Sequence, residues 1–191
     1  MMLKRVFRRL LIVLVRILST LSLQKIFALI LITQIRERSK DGGSKWPDRK
    51  FCSNATTLLV IHQDLFRGDL EALAEKQNVQ ILTFSVGWQQ VIANAFYRPG
   101  IQALQYYQSD SDPAVQKSKR ESRRFLSPIL KMVTQYYQVD AVLAPNMRFV
   151  EDLDWSYVAV ELGVPSILLW REGLNMYKRA CEGLLVRQRK F

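Results

Sequence analysis

Four short apolar runs stand out in the last two-thirds of the chain, and amphipathic stretches separate them. The runs are rich in aliphatic and β-branched residues, a composition typical of strands buried on both faces of a parallel sheet. They occupy residues 57–62, 79–84, 139–144 and 165–170. Because helical periodicity recurs between the runs, the pattern predicts βαβ units rather than an antiparallel sheet.

The connecting stretches carry the start and stop signals of helices. Apolar spacing predicts helices over residues 64–77, 89–96, 153–162 and 176–186. The long basic segment begins with Asp112 as a helix cap and Pro113 in the first helical position, and Pro128 predicts a kink or two abutting helices. We therefore predict an α/β fold with a Rossmann-like doubly wound parallel sheet over residues 57–191.

The first 38 residues are apolar and basic at once, and they predict a helical segment that associates with a membrane. Arg16 and Lys25 interrupt the apolar stretch, so its longest charge-free run is shorter than the roughly 20 residues that span a bilayer. Three interpretations stay open, namely an interfacial amphipathic helix or hairpin, a weak single span, and a signal peptide. Residues 39–56, rich in Gly, Ser and charged residues, predict a linker.

Charge is concentrated in the same region. Residues 1–50 contain twelve Lys and Arg against three Asp and Glu, whereas the rest of the chain is nearly balanced. A basic, apolar appendage on a near-neutral domain indicates an anionic lipid surface as partner, and no nucleic acid. The second basic cluster, within residues 117–124, is interpreted as a solvated helix face. We expect the protein at the cytoplasmic face of a membrane, either peripheral or held by one weak span.

Polar side chains follow all four predicted strands. The carboxyl ends of parallel strands form the usual ligand edge of such a sheet, so His62, Asn146, Arg148, Arg171 and Glu172 are the candidate site residues. His62 and Glu172 are the candidate catalytic residues, with His62 as general base. Asn146, Arg148 and Arg171 are candidate substrate-binding residues, the arginines through an anionic group. The alternative is that these residues are ordinary polar strand ends.

No motif indicates a cofactor or a metal. The glycine-rich dinucleotide fingerprint, the P-loop and the nucleophile elbow are all missing from the sequence. The acidic run Glu151, Asp152 and Asp154 is interpreted as the first turn of a helix, where the macrodipole favours negative charge, rather than as a metal cluster. We therefore predict no cofactor and no metal site.

From residue 57 onward the chain resembles the amino-terminal half of a GT-B glycosyltransferase of bacterial surface or capsular polysaccharide biosynthesis. The resemblance rests on the first βα unit with His62 at its strand end, on residues 139–146 (VDAVLAPN) and on residues 161–169 (ELGVPSILL). It implies an acceptor-side domain with His62 as base. It also implies an enzyme only when a nucleotide-sugar-binding second domain or subunit completes it. The alternative is a non-catalytic Rossmann-like binding or scaffold protein at the membrane.

The predicted core can be tested by truncating one of its side chains, and the predicted membrane segment by deleting it. The core is expected to contain one or two residues from each of the four runs: Leu59, Ile61, Ile81, Leu82, Val142, Leu143, Ile167 and Leu168. Truncation of Ile167 to alanine is then expected to cost about 2–5 kcal/mol. A chain that starts near Lys50 is expected to become soluble in cell fractionation.

Overall fold

The computed structural model describes residues 2–38, 44–47, 55–61, 67–75, 78–98, 112–144 and 150–168. Within these ranges the chain forms six helices and six strands. The helices are α1 (Met2–Thr20), α2 (Gln24–Gln34), α3 (Arg67–Ala74), α4 (Val86–Phe96), α5 (Pro113–Tyr137) and α6 (Val150–Glu161). The strands are β1 (Arg36–Arg38), β2 (Ser44–Lys45), β3 (Thr56–Val60), β4 (Val79–Thr83), β5 (Ala141–Ala144) and β6 (Ser166–Leu168).

The strands form one mixed sheet in the order β2-β1-β4-β3-β5-β6. Strands β4, β3, β5 and β6 are parallel to one another, which confirms an α/β fold built on the four predicted strands. The prediction of a purely parallel sheet is wrong, because β1 runs antiparallel to both β4 and β2. Strand β1 supplies hydrogen-bond partners for the backbone edge of β4, and β2 does the same for β1.

Helices cover both faces of the sheet. Successive strand residues point to opposite faces, so Leu59 and Val142 join one hydrophobic cluster while Val60 and Leu143 join another. The first cluster packs beneath α1, α2, α4, α5 and α6. The second contains Leu70 of α3. The sheet is therefore the central layer of the molecule, with the larger core on the face that the amino-terminal helices cover.

Helix α2 is part of that larger core. Phe27 and Leu31 are buried in the same cluster as Phe125 of α5, and the Phe27 and Phe125 ring centroids lie 5.5 Å apart. The Tyr137 hydroxyl donates a hydrogen bond of 2.9 Å to the carbonyl of Ile32. The segment predicted as an appendage thus packs on the domain, and part of the predicted linker forms β2. Removing the first 49 residues would therefore expose core surface of the domain.

Helix α5 begins as predicted but does not break at its proline. Asp112 accepts a hydrogen bond of 2.8 Å from the backbone N–H of Ala114, and Pro113 occupies the first turn. The helix continues through Pro128 to Tyr137 as one element, so the prediction of two abutting helices is wrong. Core residues on both sides of Pro128, including Phe125 and Ile129, are buried on one side of the helix. Their packing offsets the roughly 3 kcal/mol that an internal proline costs.

Six of the eight predicted core residues are buried, and one is not. Ile167 of the edge strand β6 remains 41% exposed, whereas its partner Leu143 in the register of β5 is buried. The side chain of Leu168 lies outside the described part of the structure. Ile167 is exposed because β6 has a described neighbour on one side only. The expectation of a large stability loss on truncating Ile167 is therefore wrong.

Candidate functional site

The predicted site residues all lie outside the described ranges. This holds for His62, Asn146, Arg148, Arg171 and Glu172, so their convergence stays a prediction. The structure does describe the strand ends that lead to two of them. The N–H of Ile61 donates a hydrogen bond of 2.8 Å to the carbonyl of Leu143, so β3 and β5 remain paired at their carboxyl ends. In the sequence, His62 follows the first of these strands by two residues, and Asn146 follows the second by two.

At the end of β4 the chain turns directly into α4. Ser85 caps this helix, because its hydroxyl accepts a hydrogen bond of 3.2 Å from the N–H of Gly87. One turn later Gln89 is fully buried, and its amide has no hydrogen-bond partner in the described part of the chain. Burying an amide in this way is costly. No periodicity or motif in the sequence distinguishes this glutamine from an exposed helical residue.

Helix α6 begins with the acidic run predicted for its first turn, but the run is not exposed. Asp152 and Asp154 are both buried. Asp154 accepts a hydrogen bond of 2.7 Å from the Tyr97 hydroxyl and another of 3.3 Å from Nε of Arg123. The Arg123 guanidinium also lies 3.9 Å above the ring centroid of Tyr157. This cluster ties the end of α4 to α5 and α6, and Asp154 is compensated by a cation and a hydroxyl. We interpret it as structural.

The same contact changes the interpretation of the second basic cluster. The sequence predicts a solvated helix face within residues 117–124, but Arg123 pairs with the buried Asp154, and Lys119 is also buried. Arg120 and Arg124 do face solvent. Among the described residues, no group of three or more His, Cys, Asp or Glu side chains is arranged to hold a metal ion.

Among the described residues, most of the exposed large hydrophobic side chains lie on α1, α2 and the turn that joins them, and we call this set the apolar face. Its members recur every three or four positions along each helix and are all exposed: Val6, Phe7, Leu10, Val13, Leu14, Ile17, Leu21, Leu23, Ile26, Leu29 and Ile30. Together they expose apolar surface on the order of 1,000 Å², compared with roughly 300–600 Å² for the largest patch on a typical monomer. This apolar face is therefore a candidate binding surface.

The apolar face exists because the sequences of α1 and α2 place apolar residues on more sides of each helix than pack into the core. In α1 the side that carries Val15 and Leu18 packs into the core, and the exposed apolar side chains lie on a different side of the same helix. In α2, Phe27, Ala28 and Leu31 enter the core while Ile26 and Leu29 point outward. A helix that is apolar on nearly all sides normally has apolar surroundings on nearly all sides. The fold supplies those surroundings on one side only.

The segment of the chain that carries the apolar face is rich in cations. Residues 2–34 contain six Lys and Arg and no Asp or Glu. Arg9, Arg16 and Lys25 are exposed. On α1, Arg9 and Arg16 are seven positions apart and lie on the same side of the helix, next to the apolar residues. Arg16 is held in place by a hydrogen bond of 2.8 Å from its Nε to the carbonyl of Ala95.

Within the described ranges, none of the helices has the length and apolar character needed to cross a membrane. Comparison with protein-family models, with curated proteins and with solved structures finds no match to this chain.

Proposed function

We propose that the protein is a peripheral membrane protein, in which the apolar face of α1 and α2 docks an α/β domain on an anionic lipid surface. The observation that carries this proposal is the coincidence of the apolar face with a basic, carboxylate-free segment of the chain. Interfacial helices combine an exposed apolar face with Lys and Arg at its borders.

The charge favours lipid over a protein partner or a second copy. Each basic residue near an anionic leaflet contributes about 1 kcal/mol. A second copy of the chain would place Arg9, Arg16 and Lys25 against cations of the same kind, at a cost in repulsion. An anionic membrane satisfies both the apolar residues and the cations at their edge.

Vesicle binding by surface variants tests the proposal. Leu10 is 62% exposed on α1 and Leu29 is 57% exposed on α2. Inserting about 100 Å² of either side chain into lipid contributes about 2.5 kcal/mol at 25 cal/mol/Å². Leu10→Gln and Leu29→Gln are each expected to weaken binding to phosphatidylglycerol-containing vesicles on the order of 50-fold, measured by cosedimentation of the full-length protein.

Val160→Gln is the matched control, because Val160 is equally exposed but belongs to α6. It is expected to bind vesicles as the wild type does. Equal binding by all three variants would refute docking through this face. Loss of a dimer in the two leucine variants, with unchanged vesicle binding, would assign the face to a second copy instead.

We also propose that the domain is a doubly wound, Rossmann-like fold that serves as the acceptor-side half of a membrane-associated glycosyltransferase. The parallel strand order β4-β3-β5-β6 supports this proposal, since the order along the chain reverses between β3 and β5. Ligands of open α/β sheets bind at such a reversal, beyond the carboxyl ends of the strands. His62 and Asn146 follow these two strands in the sequence.

In this role His62 is the general base, Glu172 is a second catalytic group, and Asn146, Arg148 and Arg171 hold the acceptor. A nucleotide-sugar-binding half would come from another domain or subunit. With that half supplied, His62→Gln is expected to lower sugar transfer by about 10²–10⁴-fold while leaving the fold unchanged. Transfer at the wild-type rate would exclude His62 as the base. The remaining alternative is a non-catalytic scaffold, which would show no transfer with any such partner.

A further inference from the structure

A polar pocket lies beside the apolar face, where α1 ends and turns into α2. Its volume is about 520 Å³. It is bounded by α1, by the α1–α2 turn, by the end of α4 and by the first half of α5. The polar side chains that line it come from three of these elements: Arg16, Ser19, Thr20, Ser22, Glu121 and Arg124.

The lining matches a phosphate group. Arg16 and Arg124 belong to different helices and present two guanidinium groups to one space. The fork of N–H donors on arginine fits phosphate oxygens bidentately. The hydroxyls of Ser19 and Ser22 add further donors, whereas that of Thr20 already donates to the carbonyl of Arg16 at 2.9 Å.

Contacts within the fold hold Arg16 in place, and both arginines keep N–H donors available for a ligand. Arg16 uses Nε to bind the carbonyl of Ala95, which fixes the side chain and leaves its terminal amino groups available. Arg124 forms no ion pair or hydrogen bond with another described residue. The one carboxylate in the lining, Glu121, lies 3.9 Å from the ammonium of Lys117. The pocket therefore retains an excess of positive charge.

The rim of the pocket indicates where the phosphate comes from. Ser22 lines the pocket, while its neighbours Leu21 and Leu23 are exposed on the apolar face. Arg16 likewise lines the pocket, and the adjacent Ile17 is exposed on that face. An amphiphile with a phosphate headgroup would place its head in the pocket and its chains beside these apolar residues.

We propose that this pocket binds the phosphate headgroup of an anionic phospholipid, with Arg16 and Arg124 as the recognition pair. This inference rests on the proposed docking of the apolar face and adds a specific lipid site to it. The volume of the pocket falls within the roughly 300–1,000 Å³ that is usual for small-ligand pockets. The pocket is therefore larger than an inorganic phosphate requires.

The variants that test this proposal keep the net charge constant and change only the hydrogen-bonding geometry of the basic side chains. The double variant Arg16→Lys/Arg124→Lys retains both charges but loses both guanidinium forks. The matched control is Arg98→Lys/Arg120→Lys, because both arginines are exposed, do not line the pocket and lie outside α1 and α2. Both proteins are compared with the wild type on phosphatidylglycerol vesicles, and on vesicles of equal surface charge whose anion is a fatty-acid carboxylate.

The pocket variant is expected to bind phosphatidylglycerol vesicles at least roughly tenfold more weakly than the control, the order of effect for losing a charge-assisted hydrogen bond. On the carboxylate vesicles the two variants are expected to bind alike. Equal affinities on phosphatidylglycerol would overturn the pocket while leaving docking intact. Failure of wild-type binding to both kinds of vesicle, or indifference to Leu10→Gln, would instead overturn the proposed function.

A final experiment distinguishes a lipid headgroup from a soluble phosphate as the ligand of the pocket. Inorganic phosphate and glycerol phosphate at millimolar concentration are added to the wild-type protein without vesicles, and thermal unfolding is followed. Little change in the midpoint is expected, because neither compound engages the apolar rim. Stabilisation by either compound that the pocket variant abolishes, without a lipid preference, would overturn the phospholipid assignment in favour of a soluble phosphate ligand.

Discussion

Two leucines two positions apart on α2 test whether the amino-terminal segment belongs to the folded core. Leu31 is 1% exposed and lies in the larger core cluster between the sheet and the amino-terminal helices, whereas Leu29 is 57% exposed on the apolar face. Leu31→Ala removes buried carbon atoms and leaves a cavity, at a cost of about 2–5 kcal/mol in the free energy of unfolding. Leu29→Ala makes the same chemical change on the surface and is expected to stay within about 0.5 kcal/mol.

The measurement is urea unfolding of the full-length protein in a mild non-ionic detergent, followed by circular dichroism. With a slope of about 2 kcal/mol per molar urea, Leu31→Ala is expected to lower the midpoint by about 1–2.5 M. The midpoint of Leu29→Ala should match that of the wild type. Identical midpoints for the two variants would refute the packing of α2 on α5 and would restore the amino-terminal segment as a separate appendage.

The same pair separates stability from membrane affinity. Under conditions where both variants are folded, Leu29→Ala is expected to weaken vesicle binding, because it removes part of the apolar face. Leu31→Ala is expected to bind vesicles as the wild type does, because its side chain points away from that face. The opposite pattern would mean that α2 is rotated relative to the described packing.

Four further substitutions check individual contacts by thermal or urea unfolding. Tyr97→Phe should cost about 1–3 kcal/mol, because it removes a buried hydrogen bond to Asp154. Asp154→Ala should cost about 3–5 kcal/mol, because it removes the carboxylate that pairs with Arg123. Equal small effects of the two substitutions would show that this cluster is solvated. Gln138→Gly should stabilise by about 0.5–1 kcal/mol, because Gln138 ends α5 with φ of 50°, and destabilisation would contradict that conformation. Ile167→Ala should cost less than about 1 kcal/mol, since the side chain is partly exposed, and a loss above 2 kcal/mol would place it in the core.

The elements that could be predicted from the sequence are those whose signals are local. The four parallel strands are continuous apolar runs, and each is found where its run lies. Asp112 caps α5 through its own neighbour two residues on, and Gly163 ends α6 with a positive φ of 75°. In both cases the residue type and its immediate context are sufficient, because the interaction spans only a few positions.

The features that were missed depend on distant partners. Strands β1 and β2 are short and polar, with no periodicity of their own; β1 pairs with the edge of β4, and β2 pairs with β1. The Arg123–Asp154 pair joins two helices that the sequence presents as separate charged surfaces. Ile167 belongs to an apolar run like those of the central strands, but its burial depends on the position of β6 at the sheet edge. None of these is encoded within a single window of the chain.

The packing of α1 and α2 has a consequence for any chemistry at the carboxyl edge of the sheet. Arg16 is bonded to the end of α4, and Phe27 contacts both Trp88 of α4 and Phe125 of α5. The apolar face is therefore fixed to the same helices that cover the sheet. A domain tethered to a membrane by a flexible linker would sample many orientations. If the apolar face docks on lipid as proposed, its packing on the core would hold the strand ends at one height and angle to the membrane, which would favour an acceptor embedded in it. If Leu31→Ala, which weakens this packing, left vesicle binding unchanged but lowered transfer to a lipid-linked acceptor, orientation rather than recruitment would be the contribution of this packing.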